Sequence, residues 1–181
     1  MSGTTPHDNT APRESTAPRD NPAPRQSAKI VVVSDRIAGG ERENTIGQDA
    51  AAMLQEAGFT VTDLIVVPEG AEPIRRELER GIADGVALLL TCGGTGLGPR
   101  NLTPEETLKV ISTRLETVET QVLVEGLKNT PKASMSRGVI GLSSREPGGT
   151  LVVNASSSSG GMRDCLKVIL AVWPSISGWI R

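Results

Sequence analysis

The chain has 181 residues, of which 37% are hydrophobic and 22% charged, room for one ordinary domain and a tail. A net charge of −2 and an aromatic set of Phe59, Trp173 and Trp179 exclude a nucleic-acid partner, which needs clustered Lys and Arg or a stacking platform. No apolar run reaches membrane-spanning length and no stretch resembles a signal peptide, so the expected compartment is the cytoplasm, with no membrane partner.

Residues 1–27 repeat a six-residue unit as Ala11-Pro12-Arg13, Ala17-Pro18-Arg19 and Ala23-Pro24-Arg25. They lack the apolar surface that would offset the entropy of ordering, and read as a disordered or polyproline II tail before a folded domain over 28–181. Lys29-Ile30-Val31-Val32-Val33-Ser34 is a β-branched run, apolar on both faces, as a buried parallel strand requires. After a loop with Gly39 and Gly40, Thr45 reads as an N-cap with Gln48 in the capping-box position. Ile46, Ala50, Met53, Leu54 and Ala57 then form a helical stripe that Gly58 closes.

Thr60 to Val67 reads as a second strand. Pro73 suits a first helical turn, Ile74, Leu78 and Ile82 follow at four-residue spacing, and Gly85 marks the stop. Val86 to Leu90 is a third, fully apolar strand. Thr103-Pro104-Glu105-Glu106 has Thr as cap and Pro at the first position, starting a helix expected to run to about Arg114. A second helix is expected over Glu116 to Leu127, and strands over Val139 to Leu142 and Leu151 to Val153. Gly161 to Trp173 reads as the last long helix, ended or kinked by Pro174. The order β-α-β-α-β-α-α-β-β-α implies a three-layer α/β fold, a mainly parallel sheet flanked by helices, with ligands at the carboxyl ends of strands.

The only histidine, His7, lies in the tail, so the domain has no Ser-His-Asp triad, Cys-His dyad or His-ligated zinc. Cys92 and Cys165 are too few for a disulfide framework. Cys92 reads as a packing residue because no base is at hand, and Cys165 and Met162 as core residues of the last helix. Carboxylates, hydroxyls, amides, Lys, Arg and a hard metal remain.

The third strand ends in Thr91-Cys92-Gly93-Gly94-Thr95-Gly96-Leu97-Gly98, placing bare backbone N–H groups where an anion can reach them. Gly98 is followed by Pro99 and Arg100, which breaks a P-loop, and no spacing among the glycines satisfies a dinucleotide fingerprint. Four glycines in six residues exceed what a turn requires.

Thr91-Cys92-Gly93-Gly94-Thr95-Gly96 followed by Pro99-Arg100-Asn101-Leu102-Thr103-Pro104-Glu105 resembles the signature of the molybdopterin adenylyltransferase family, of the Mog and MoaB type. That family includes bacterial molybdenum-cofactor biosynthesis proteins and the G domain of gephyrin. The likeness spans roughly Lys29 to Trp173 and includes Ser34-Asp35-Arg36, Pro68-Glu69, Met135-Ser136-Arg137 and Asn154. It implies the molybdopterin-binding α/β fold, a homotrimer, and adenylylation of the terminal phosphate of molybdopterin by ATP and Mg²⁺ with release of pyrophosphate. Because the substrate's own phosphate is the nucleophile, the protein mainly positions anions and metal, which suits a domain without histidine.

Carried onto this chain, the resemblance implies a substrate site of Ser34, Asp35, Gly93, Gly94, Thr95, Gly96, Ser136, Arg137, Asn154, Ser156 and Ser157. It implies Glu69 and Asn101 as the catalytic, Mg²⁺-holding pair. Asn101 stands where the family has Asp, keeping an oxygen ligand without the charge that magnesium prefers. Glu69 stands where the family has Asp and keeps the charge on a longer stem. Asn154-Ala155-Ser156-Ser157-Ser158-Ser159-Gly160-Gly161 replaces the family's Asn-x-Pro-Gly-x-Pro loop with hydroxyls that bind a phosphate or form a solvated linker.

On their residues alone, Asp35 is a ligand or a turn former, Arg137 a phosphate partner or a surface residue, Asn101 a turn support and Glu69 a solvated carboxylate. Two rival functions follow. One is a binding or oligomeric paralogue with a decayed acid site. The other is a nucleotide hydrolase or deamidase resembling the N-terminal domain of the competence-damage-inducible protein, which the Pro99 to Glu105 continuation fits less well.

Overall fold

The structure is a computed structural model that describes residues 26–180. The Ala-Pro-Arg repeats, and with them the expected tail, lie outside the described residues. Strand β1 (Ser27–Val33) begins one residue before the expected domain start, pairing Ser27 with Thr60. It is joined in one sheet by β2 (Thr60–Val67), β3 (Leu88–Cys92), β4 (Thr113–Arg114), β5 (Ile140–Leu142) and β6 (Leu151–Ala155), in the order β2-β1-β3-β6-β5-β4. β2, β1, β3 and β6 run parallel, and β5 lies antiparallel to both β6 and β4. The carboxyl ends of four strands therefore share one edge.

The pleat sends alternate residues of β1 to opposite layers. Ala28, Ile30 and Val32 pack against α2 (Thr45–Glu56) and α6 (Ser159–Ser177), which contribute Ile46, Ala50, Leu54, Met162, Leu166 and Ile169. Val31 and Val33 face Ile74 and Leu78 of α3 (Ala71–Ala83), with Val110 of α4 (Thr103–Val110) beside them. On that second face Lys29 is wholly buried and its Nζ pairs with Glu77 Oε2 at 2.8 Å. The periodicity of β1 carries this face, and the partner on α3 lets a charge occupy an apolar position. Two short helical pieces complete the chain, α1 (Asp35–Ala38) and a 3₁₀ turn over Pro131–Met135, with α5 (Glu116–Leu127) packed on α6. No described helix is long and apolar enough to cross a membrane.

Several boundaries differ from expectation for identifiable reasons. Thr45 is the first residue of α2, and Asn44 is its cap, accepting from Gly47 N at 3.0 Å. Thr103 is not a cap either: its buried hydroxyl donates to Gly93 O at 3.0 Å, and the cap position is Leu102. α4 stops at Val110 rather than Arg114 because Ile111 turns extended and Thr113–Arg114 pair with β5, so sheet pairing overrides helical continuation. α6 passes through Pro174 to Ser177. Pro174 forfeits one main-chain hydrogen bond, while Trp173 is held by packing on Phe59, with ring centroids 4.9 Å apart.

Candidate functional site

The glycine loop sits at the carboxyl end of β3, between the ends of β1 and β6. Gly93 has φ 107° and Gly94 φ 65°, values that side chains rarely adopt. A Cβ on Gly93 would lie 2.3 Å from the Val33 carbonyl oxygen, and one on Gly94 2.2 Å from Thr103 Oγ1. Gly93 N donates to Ala155 O at 3.0 Å and Thr103 N to Gly94 O at 3.1 Å, suturing the loop to β6 and α4. The N–H groups of Gly94, Thr95 and Gly96 have no acceptor among the described residues. They are the donors an anion would take.

Arg137 clasps this loop. Its Nε and Nη2 donate to Gly96 O at 3.0 and 2.9 Å, Nη2 donates to Asn101 O at 2.7 Å, and Nη1 pairs with Glu105. The guanidinium is thus committed to the fold of the loop, and Ser136 Oγ beside it contacts Thr95 Oγ1 at 3.4 Å. Burial alone pushes the Glu105 carboxyl up. Hydrogen bonds from Arg137 and from its own backbone outweigh this and hold it below the usual carboxylate range. Since the folded value is the lower one, this contribution is in place above the ordinary Glu range and is lost as the pH falls through the lowered value. Arg137→Lys, which replaces a planar fork by a point charge, is expected to lower stability by about 1–2 kcal/mol. Amide hydrogen exchange over residues 94–101 should quicken with it; unchanged exchange would show that the clasp does not hold the loop.

Asn154 is buried and fully engaged. Its Nδ2 donates to Thr91 Oγ1 at 3.0 Å and Thr107 Oγ1 at 2.9 Å, and its Oδ1 accepts from Val139 N at 3.1 Å. One side chain thereby ties β3, α4 and the approach to β5 together below the loop. The serines that follow are more open: Ser158 caps α6 by accepting from Gly161 N at 3.1 Å, and Ser156 Oγ lies 3.1 Å from Ser158 Oγ.

On the other side of the loop, Asp35 opens α1 just past β1, where Ser34 is the cap. Arg100 Nη1 and Nη2 reach Asp35 Oδ2 and Oδ1 at 2.5 and 3.2 Å, and Nη2 also donates to Glu69 O at 2.6 Å. Glu69 N donates to Asp35 Oδ1 at 2.9 Å. This bracket gathers the ends of β1 and β2 with the glycine loop, beside Asn101, whose Oδ1 accepts from Gly98 N at 3.3 Å. The Glu69 carboxylate has no cationic partner among the described residues, and no group of three acidic, His or Cys side chains among them forms a metal cage.

A cavity of about 810 Å³ opens on the α5–α6 side, lined by Thr95, Gly96, Ser136, Arg137, Asn154, Ser156 and Ser157 from the expected set. Ser34, Asp35, Glu69 and Asn101 do not line it; Asp35 and Glu69 form a separate corner with Arg100 at the ends of β1 and β2, the Asn101 side chain turns back onto Gly98 N, and Gly93 packs between Val33 and Ser157. Ser157 borders both sides, since it also lines a small recess with Ser34 and Cys92. Arg100, Glu105 and Thr107 carry structural roles that their place in the motif does not announce. Neither cysteine is poised to react: burial, reinforced by Cys165, pushes the Cys92 thiol far up, and burial beside Asp164 pushes Cys165 up to about 12.

Residues 29–175 match the family described as "Probable molybdopterin binding domain". The chain belongs to this molybdopterin-binding domain family. It is 34% identical over 141 residues to a molybdenum cofactor biosynthesis bifunctional protein of Chlorobaculum tepidum, covering 78% of this chain and 44% of that protein. The domain thus spans less than half of that relative's length. It is 27% identical to a molybdopterin adenylyltransferase of Helicobacter pylori over 150 residues, 81% of each chain. The molybdopterin biosynthesis Mog protein of Mycobacterium ulcerans superposes with a TM-score of 0.79 at 33% identity, covering 86% of this chain and 99% of that one. The mainly parallel α/β architecture is shared with that Mog protein.

Proposed function

We propose that this chain binds molybdopterin in the cavity and transfers the adenylyl group of ATP to its terminal phosphate. The observation that carries the reading is the position of the glycine loop. The loop, whose Gly94, Thr95 and Gly96 N–H groups have no acceptor among the described residues, lines a cavity large enough for a fused-ring ligand with Thr95 and Gly96 and continues to Arg100, which reaches the corner bearing Asp35 and Glu69. The names of the relatives in Chlorobaculum tepidum and Helicobacter pylori support it.

In this reading the N–H groups of Gly94, Thr95 and Gly96, with the Thr95 hydroxyl and the start of α6, hold the acceptor phosphate. An oxygen of that phosphate forms the new bond to the α-phosphorus of ATP. The bond from the α-phosphorus to the bridging oxygen breaks, and pyrophosphate leaves with the electron pair. Magnesium is held mostly by water and substrate phosphates with one or two carboxylates, which suits a corner offering Glu69, Asn101 Oδ1 and Asp35 rather than a closed cage. When bound with the nucleotide it would neutralise charge on the phosphates. The protein's part is to fix Glu69 through Asp35 and Arg100 and to keep the acceptor phosphate in line. The homotrimer belongs to the same proposal and is read by light scattering on the full chain.

A second reading keeps binding and drops turnover. It is favoured by the charge at the corner: Arg100 neutralises Asp35, Asn101 is neutral, and the Glu69 carboxylate has no cation among the described residues. Incubating the full chain with molybdopterin, ATP and Mg²⁺ and following adenylylated product and pyrophosphate decides between them. Turnover supports the first reading and binding without turnover the second. A folded chain that fails to bind molybdopterin overturns both.

A further inference from the structure

The cavity continues beyond the glycine loop along the first turns of α6 to Asp164, about 9 Å along the helix axis from Ser158. Both oxygens of its carboxylate face one donor among the described residues, Asn129 Nδ2, at 3.0 and 3.1 Å. Of the cations at the cavity, Lys167 pairs with Glu125, Arg163 with Asp49, Arg137 with Glu105 and Arg114 with Glu119, while Lys132 on the 3₁₀ turn pairs with neither Asp164 nor any other described carboxylate. A carboxylate accepts several hydrogen bonds, and its two oxygens match a pair of parallel N–H donors. The adjoining walls suit a flat ring. A Cβ on Gly126 would lie 2.8 Å from Ala133 Cβ, so α5 and the 3₁₀ turn pack directly on each other at the cavity wall, and Leu123 and the exposed Met135 present apolar and thioether surface to it.

We propose that Asp164 is the specificity-determining residue for the ligand's ring, accepting from the exocyclic amino group and the ring N–H of a 2-amino-4-oxopyrimidine edge. This rests on the molybdopterin reading above and assigns the end of the ligand that the phosphate donors do not touch. The Asn129 amide stands on the carboxylate as the ligand's amino group would, and it lies in an exposed segment after α5, from which it can yield. Pterins and guanine share this edge, so the source must be resolved by competition.

The test is equilibrium binding of 6-hydroxymethylpterin and its 2-oxo counterpart, 6-hydroxymethyllumazine, to the full chain, with GMP as competitor. Wild type is expected to prefer the pterin about tenfold or more, as loss of a charge-assisted pair implies. Asp164→Asn should abolish the preference while leaving the thermal midpoint in place. Asn129→Ala, which frees the carboxylate, should keep it. A preference retained in Asp164→Asn, or absent in a wild type that binds molybdopterin, overturns the assignment to Asp164 alone. GMP competing as well as the pterin overturns the pterin as its source. Failure of wild type to bind molybdopterin overturns the underlying reading instead.

Discussion

Asn101→Asp is expected to raise Mg²⁺-dependent adenylylation of molybdopterin by about ten- to a hundredfold. The substitution is nearly isosteric, and Asn101 Oδ1 already accepts from Gly98 N, a bond that a carboxylate oxygen keeps and strengthens. The backbone carbonyl of Asn101 stays under Arg137, so the loop need not move. What changes is charge. Among the described residues the corner holds a neutralised Asp35 and an unpaired Glu69 carboxylate, and a second anion near it would stabilise a magnesium ion carried by phosphates. Two charges a few ångströms apart interact by a few kcal/mol at protein surfaces, less after rehydration of the ion, which sets the range. Initial rates across a magnesium titration measure it. A variant that folds normally but turns over no faster than wild type would remove Asn101 from the metal's surroundings.

Gly93→Ala is expected to cost about 3–5 kcal/mol of stability, from a strained backbone and an overpacked site together. The obstacle is the Val33 carbonyl oxygen, 2.3 Å from the added carbon and fixed within a buried strand. Gly98→Ala is the control. Gly98 does not have positive φ, and an added Cβ would stand 3.2 Å from the end of the Asn101 side chain, so its cost should stay within about 1 kcal/mol. Urea midpoints compare the two. A Gly93→Ala protein as stable as the control would mean that β1 and the loop part more easily than their packing indicates.

Much of the layer structure is legible before any coordinates. The unbroken apolar runs Ile30 to Val33 and Leu88 to Leu90 fix buried strands, and the Ile74, Leu78 spacing fixes the face of α3. The glycine loop is legible as well, because four glycines so close together serve little else. The assignments that stay hidden depend on which strands become neighbours. Arg100 and Asp35 are 65 positions apart, and Asn154 and Thr91 are 63 apart. Nothing local announces that β3 lies between β1 and β6, so the Thr103 hydroxyl reads as a cap when it in fact fastens the loop. The two-residue β4 is hidden for the same reason: its pairing with β5 outweighs the helical propensity of the residues before it.

The buried Lys29–Glu77 pair restricts how this sequence can drift. Lys29 has no water to retreat to, and left alone it would cost about 3–5 kcal/mol, a large share of the roughly 5–15 kcal/mol by which a domain is stable, whereas Glu77 would keep Arg76 at 3.7 Å. A lineage that loses Glu77 first must cross a markedly weakened intermediate. A matched apolar replacement of both would be close to neutral. The order of loss therefore matters: the step through Lys29 is the milder way out of the pair, and the step through Glu77 the steeper one.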